Sequence, residues 1–319
     1  MNFIIKLFKI RESGLILINF LIILVLSIVF DNFLTSVNIF GILYSISVNS
    51  IIVGAMTILF ISGGFDISVG AVHGFANVIV GLMMVKLGMP IPLAIFLTIL
   101  IGATIGLFMG FIISFLNINP FFVTLAGYFA ISSFMIIIAG RRSIGGFPED
   151  FNLIASYKIA NVPLIIIFSL ISVLIFDILL RRNVFLRQNF AIGGNEPAAI
   201  LAGVKVRTIK MFNYTMVSIM ASIAGIFTAS RSNSSSIIGV TENAFPIITA
   251  VIIGGASLKG GSGSVIGSFL GLIFVSVVYS SFIFLRLDIY WNKVALGLIL
   301  IIVVLIDTRL RKEKNVRIR

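Results

Sequence analysis

The sequence predicts an all-α, polytopic membrane protein of about ten transmembrane helices, and three observations predict it. The first is composition. Of 319 residues, 59% are hydrophobic and 11% charged, whereas a soluble domain carries roughly 45–50% apolar and about 25% charged residues. Mean hydropathy is +1.21. So few charges cannot give a soluble globule of this size a polar surface. The second is block length: the apolar residues come in runs of about 20, enough to span a bilayer as a helix. The third is that Lys and Arg gather in alternate gaps between the runs, as they do in membrane proteins.

The first run, Gly14 to Phe30, follows Lys6, Lys9 and Arg11, the layout of a signal peptide. Asp31-Asn32-Phe33 after it offers no small-residue cleavage site, so the run is expected to stay as the first membrane helix. The remaining segments are 37–62, 69–86, 90–116, 120–140, 161–180, 211–230, 245–258, 262–285 and 289–308. The third opens in a Gly-rich turn. The eighth is short and ends in glycine, so it reads as a broken or partial span. With the N-terminus inside, the inside regions 1–13, 63–68, 117–119, 181–210, 259–261 and 309–319 hold sixteen of the 23 Lys and Arg. The outside regions hold seven: Lys86, Arg141, Arg142, Lys158, Arg231, Arg286 and Lys293. The positive-inside rule then puts both termini in the cytoplasm. The whole chain, 1–319, reads as one transmembrane domain, with a cytoplasmic loop at 181–210 and a basic cytoplasmic tail at 309–319. The net charge of +12 is thereby a matter of topology, and no nucleic-acid partner is expected. The chain has no Cys, which excludes disulfides and Cys-based metal sites. No metal site and no cofactor are expected.

Two glycine-rich stretches interrupt the spans. Ser62-Gly63-Gly64-Phe65-Asp66-Ile67-Ser68-Val69-Gly70 separates the second and third, and Gly254-Gly255-Ala256-Ser257-Leu258-Lys259-Gly260-Gly261-Ser262-Gly263-Ser264 the eighth and ninth. Glycine supplies turns of positive φ and close backbone approach. Backbone freed from helical bonding at membrane depth persists only where protein or water satisfies it, as beside a translocation path. Tight turns at the cytoplasmic surface are the other reading. Gly63-Gly64 and Gly70 align with Gly254-Gly255 and Gly261, as an internal duplication would have it. Asp66 reads as the one acid near the membrane interior, hence a functional group, or as a cap for the third helix. His73, the sole histidine, is a packed or path-facing polar side chain.

Gly102, Gly106 and Gly110 recur every four residues in the fourth segment, and Gly263, Gly267 and Gly271 do so in the ninth. Such spacing lets helices pack backbone to backbone. The internal loop contains Gly193-Gly194-Asn195-Glu196-Pro197-Ala198-Ala199-Ile200-Leu201-Ala202-Gly203-Val204. Asn195 is a good N-cap, Glu196 suits the positive end of a helix dipole, Pro197 is tolerated in a first turn, and Gly203 is a good stop. These residues predict a two-turn helix. Helices so short are marginal alone in water, so this one is expected to pack against a partner protein. The external stretch from Arg141 to Asn161 reads as a solvated loop or as something more ordered.

From about residue 37 to 312 the chain resembles the permease subunits of bacterial ABC importers for monosaccharides, the ribose-type group. Four segments carry the resemblance: Gly63-Gly64-Phe65-Asp66-Ile67-Ser68-Val69-Gly70; Asn119-Pro120-Phe121-Phe122-Val123-Thr124-Leu125; Ala191 to Ala199; and Ile252 to Leu258 with Gly260-Gly261-Ser262-Gly263. Gly145-Gly146-Phe147-Pro148 and Tyr290-Trp291-Asn292-Lys293 are most similar to the autoinducer-2 branch of the group. Pro197, His73 and Asn77 depart from the group's usual residues. The resemblance implies a coupling helix seated in a cleft of an ATPase subunit, here Asn195, Glu196, Pro197, Ala198, Ala199, Leu201 and Gly203. It also implies a second permease, as a homodimer or heterodimer, a cytoplasmic ABC ATPase, and an extracytoplasmic sugar-binding protein. The expected location is the bacterial cytoplasmic (inner) membrane.

The expected role is passive in chemistry: the chain is not an enzyme. No G-x-x-x-x-G-K-[ST] motif occurs, so ATP hydrolysis would belong to a separate chain. A path for a neutral, hydroxyl-rich solute needs polar and aromatic side chains without strong fixed charge. Candidates are Asn49, Ser50, Asp66, His73, Asn77, Thr124 and Tyr128, each of which can equally serve as an inter-helix hydrogen bond. Gly63, Gly64, Gly70, Gly254, Gly255, Gly260 and Gly261 are expected to be structural. An ion-coupled secondary transporter of a small neutral solute is the alternative; it needs buried acids in the spans, and Asp66 is the only candidate. An intramembrane enzyme would need clustered nucleophiles or ligands, and one His with no Cys leaves little to build with.

Overall fold

The computed structural model describes residues 12–237, 241, 244–288 and 290–316, with backbone alone for 303 and 306–316. Lys6, Lys9, Arg11 and 317–319 lie outside the described residues. The chain is mostly helical. In order it forms α1 (Ser13–Val29), α2 (Ser36–Ile61), α3 (Val69–Gly81, continued by a π-helical turn over Leu82–Lys86), α4 (Ile91–Phe115) and α5 (Pro120–Ile138). Next come β1 (Ile144–Gly145), α6 (Glu149–Ser156), β2 (Lys158–Ile159), β3 (Val162–Pro163), α7 (Leu164–Arg182), α8 (Val184–Gly194) and α9 (Glu196–Leu201). Last are α10 (Val206–Ser232), β4 (Ser234–Ser235), α11 (Ala244–Ile253), α12 (Val265–Phe284) and α13 (Tyr290–Val316). Among the described residues seven helices are long and apolar enough to cross a membrane: α2, α3 with its π turn, α4, α5, α7, α10 and α12. α1, α11 and the apolar part of α13 are shorter.

Local chemistry sets the helix starts. Pro120 opens α5 behind Asn119, whose Oδ1 accepts from the Phe121 amide at 2.9 Å. Asn183 accepts from the Phe185 and Leu186 amides to start α8. Ser264 accepts from the Gly267 amide to start α12. Each side chain satisfies a donor that the first turn leaves free.

α2, α3 and α10 are the most buried spans, and α5 is the most exposed. α10 makes its largest interfaces with α4 and α3. The glycine stripe of α4 serves that packing. A Cβ on Gly106 would stand 2.7 Å from the Ser218 Cβ and from the Tyr214 carbonyl, and one on Gly110 would stand 2.9 Å from the Met211 carbonyl. On α12, Gly267 lies against the carbonyl of Gly254, which follows α11, and Gly271 against that of Ala250 on α11. Both stripes therefore act as packing surfaces.

The stretch after α5 is ordered. β1 pairs with β4 (Ile144 opposite Ser235), and β2 pairs with β3 across a tight turn at Ala160-Asn161. α6 buries Phe151 and Ala155. The Ser230 hydroxyl of α10 donates to the Phe151 carbonyl at 2.7 Å and accepts from the Ala155 amide at 3.0 Å.

α11 has ten residues, about 15 Å of helix against a hydrocarbon core of about 30 Å. It is a half-span. Before it, Ser235 lies against Gly81 of α3, and Thr241 lies against Gly70 and Gly74. Asn77 ties Ser235 and Ser236 to α3. Its Oδ1 accepts from the Ser236 amide at 3.1 Å, and its carbonyl accepts from the Ser235 hydroxyl.

α2 and α11 end alike. The amides of Ser62, Gly63 and Gly64 donate to the carbonyls of Ile58, Phe60 and Leu59; those of Gly254, Gly255 and Ala256 donate to Ala250, Ile252 and Val251. Gly63 and Gly255 take the left-handed conformation, φ +78° and +88°, that this helix ending requires. The geometry thus pairs Gly63 with Gly255 and corrects the alignment of Gly63-Gly64 with Gly254-Gly255 by one residue. Identity of glycines misled the alignment because the left-handed position, not the first glycine of the pair, is what repeats.

Candidate functional site

At one end of the bundle three distant stretches meet: the break after α2, the break after α11, and the end of α8. The Gly261 amide donates to the Ile61 carbonyl at 2.8 Å, joining the two breaks directly. Gly193 fits between them. A Cβ there would collide with the Ile61 carbonyl oxygen and the Gly261 nitrogen. A Cβ on Gly260 would stand 2.7 Å from the Gly193 Cα and 2.8 Å from the Gly63 nitrogen. Backbone therefore packs on backbone at Gly63, Gly193, Gly260 and Gly261, contact that side chains at 193, 260 and 261 would disturb.

α9 follows at once. Asn195 Oδ1 accepts from the Ala198 amide at 3.0 Å, and the Gly203 and Val204 amides close the helix on the carbonyls of Ile200 and Ala199. Pro197 sits in the first turn. Ala199 is buried against Ile192, Val206 and Ile209, with Val204 packed beside them. Glu196 forms an ion pair with Lys210 of α10 at 2.6 Å. Leu201, in contrast, is 90% exposed, and Ile200 is 56% exposed. α8 is tied inward by an amide pair: Asn213 Nδ2 donates to Asn189 Oδ1 at 2.7 Å, and Asn189 Nδ2 donates to the Leu186 carbonyl at 2.9 Å. Both asparagines are fully buried. α8, α9 and the start of α10 thus form one small unit.

The first break is pinned from inside. Asp66 Oδ1 accepts from the Ser68 amide and the Ser68 hydroxyl, so the carboxylate caps the turn that opens α3. The Tyr214 hydroxyl, buried on α10, accepts from the Phe65 amide and donates to the Phe65 carbonyl, both at 3.4 Å. Asp66 is not the only buried acid. Asp177, in the last turns of α7, is also buried and pairs with Arg181 at 2.7 Å. The sequence reading, which took Asp66 as the one acid near the membrane interior, passed over Asp177 within the apolar run 161–180.

The polar candidates in the spans do not converge on one chamber. His73 and Asn77 share a face of α3 turned to α10: His73 Nε2 lies 2.9 Å from Thr228 Oγ1, and Asn77 Nδ2 donates to the Gly225 carbonyl at 3.5 Å. Thr124 donates to the Pro120 carbonyl within α5, and the half-buried Tyr128 lies edge-on to Phe129. Asn49 and Ser50 on α2 differ. Asn49 Oδ1 and Ser50 Oγ are buried with no hydrogen-bond partner among the described residues, an arrangement that costs free energy unless something polar comes to meet it. Of the structural glycines, Gly70 and Gly64 also admit no side chain: a Cβ would meet the Thr241 carbonyl and Leu59 respectively.

Sequence reasoning missed Gly193, Asn189, Asn213 and Tyr214. Gly193-Gly194 stood in plain view as a pair before the α9 cap. Nothing local distinguished 193, where a Cβ would collide with residues 61 and 261, from 194, where a Cβ would meet nothing.

A family described as "Branched-chain amino acid transport system / permease component" matches residues 38–304. The chain is 29% identical over 292 residues to the ribose import permease protein RbsC of Bacillus subtilis (strain 168), covering 91% of this chain and 90% of that one. It is 30% identical over 317 residues to RbsC of Haemophilus influenzae, covering 98% of each. It is 33% identical over 226 residues to the autoinducer 2 import system permease protein LsrD of Salmonella typhimurium, covering 69% of this chain and 68% of that one. No solved structure gives a significant match.

Proposed function

The chain belongs to this family of transport-system permease components, and from that membership we propose that it is the transmembrane subunit of an ATP-driven importer in a bacterial inner membrane. Its cargo is a monosaccharide or a related small polyol-like solute. Two permeases form the path, a cytoplasmic ATPase supplies the work, and an extracytoplasmic binding protein delivers the solute. The observation that carries the reading is α9: a capped two-turn helix with Ile200 and Leu201 presented outward and its base fastened to both glycine breaks. Such a helix is suited to seat in a cleft of the ATPase.

The sugar class rests on relatives named for ribose import that align along nearly the whole chain. It also fits the uncharged Asn49 and Ser50, whose unpartnered buried atoms suit hydroxyl groups. The family's description names branched-chain amino acids, but a zwitterion would need fixed charge that these residues lack. The ion-coupled alternative has less support: Asp66 is engaged by Ser68 and Asp177 by Arg181. About ten spans with both termini cytoplasmic follow if α1, α11 and α13 complete the seven long helices. Asn195, Glu196, Pro197, Ala198, Ala199 and Gly203 then shape the coupling helix, and Leu201 is its contact.

Uptake tests the reading. Proteoliposomes holding this chain, its ATPase and its binding protein should accumulate labelled ribose or autoinducer-2 when ATP is supplied, and leucine should not compete. Accumulation of leucine in place of both would overturn the solute class.

A further inference from the structure

The four-glycine seam has a mechanical consequence. Gly193 and Gly194 are the last two residues of α8, and neither has a positive φ. Glycine is therefore not needed there for backbone conformation, and alanine would be the better helix former. At Gly194 a Cβ meets nothing within 4 Å. At Gly193 it would collide with the Ile61 carbonyl and the Gly261 amide, the two groups whose hydrogen bond joins the breaks. The missing side chain at 193 thus serves close approach alone.

What approaches is the base of the coupling unit. α9 shares a hydrophobic core with Ile192, Val206 and Ile209, and its Glu196 is paired to Lys210. Asn195, which caps α9, directly follows Gly194. A displacement of α9 must therefore move the end of α8. That end bears on Ile61 and Gly63 of the first break and on Gly260 and Gly261 of the second. Beyond the breaks lie α3, as buried as α2, and α12.

We propose that Gly193 is the joint through which the coupling helix acts on both glycine breaks at once, so that one push from the ATPase tilts α3 and α12 together. Gly193 is a positioning residue; it touches no solute. The proposal rests on the importer reading above and adds a transmission route to it.

The test compares two neighbours that undergo the same chemical change. Gly193→Ala and Gly194→Ala are each introduced into the complete importer of permease, ATPase and binding protein. ATPase co-purification, ATP hydrolysis and labelled ribose uptake are then measured in proteoliposomes. Gly194→Ala is expected to match the wild type. Gly193→Ala is expected to retain ATPase binding and basal hydrolysis while solute carried per ATP falls about tenfold or more, the scale on which overpacking shifts a two-state element. An unchanged ratio for Gly193→Ala overturns the joint and leaves the importer reading standing. A wild-type chain that binds no ATPase overturns both. Hydrogen–deuterium exchange on the wild-type permease–ATPase complex, with and without ATP plus vanadate, decides independently if Gly193→Ala does not assemble. Exchange at 62–64 and 257–263 should change together with that at 190–196. A change confined to 190–196 rejects the joint.

Discussion

Ala199 and Leu201, two residues apart in α9, face opposite ways. Ala199 is buried with Ile192, Val206 and Ile209, and Leu201 is 90% exposed. The sequence marked the ends of this helix through Asn195 and Gly203 but not its faces, because six residues carry too little periodicity to tell them apart. The difference separates docking from folding. Leu201→Arg should leave thermal stability unchanged while weakening ATPase binding by about 2 kcal/mol, the scale of an interface anchor; co-purification against salt-washed membranes measures it. Ala199→Arg should instead lower the melting temperature, since it forces a charge into an apolar contact and costs about 3 kcal/mol or more. Tyr214→Phe removes the hydroxyl that bridges the Phe65 backbone. It should destabilise the chain by about 1 kcal/mol, read as a lower melting temperature in detergent, with Asp66 and Ser68 still capping α3.

The spans and their packing stripes were largely legible. Apolar blocks near the bilayer length mark the spans, and glycines at every fourth position mark close helix contacts. Gly102, Gly106 and Gly110 do meet Ser222, Ser218 and the Tyr214–Met211 backbone of α10. Gly106→Leu should therefore cost about 1–3 kcal/mol by overpacking, visible as loss of the folded monomer on size-exclusion chromatography at raised temperature, whereas Gly41→Leu on α2, where a Cβ meets nothing, should be silent. The half-span α11 was legible as a short, Gly-ended block. The contacts of Ser235, Ser236 and Thr241 before it were not. Ser235 and Thr241 lie against a face of α3 spaced by Gly70, Gly74 and Gly81, and the hydrogen bonds of Ser235 and Ser236 go to Asn77, about 160 residues earlier in the chain. No local pattern records a contact of that separation.

Across the whole molecule, the two ends of the bundle are built differently. One gathers the breaks, α8 and α9; the other gathers α6, the β1–β4 pair and the β2–β3 turn. From the distribution of Lys and Arg we propose that the first end faces the cytoplasm. Because the chain has no Cys, single cysteines test this without background. Leu201→Cys should react with an impermeant maleimide only in inverted vesicles, and Asn161→Cys only in right-side-out cells. The reverse pattern would turn the topology over and remove α9 from reach of an ATPase. On the proposed reading this chain carries solute only when an ATPase works on it. Uptake of labelled solute into proteoliposomes, with ATP and with an uncoupler varied separately, tests that most directly. Accumulation should require the ATPase subunit and ATP and persist with the uncoupler. Accumulation by the chain alone that survives ATP depletion and collapses with the uncoupler would contradict it.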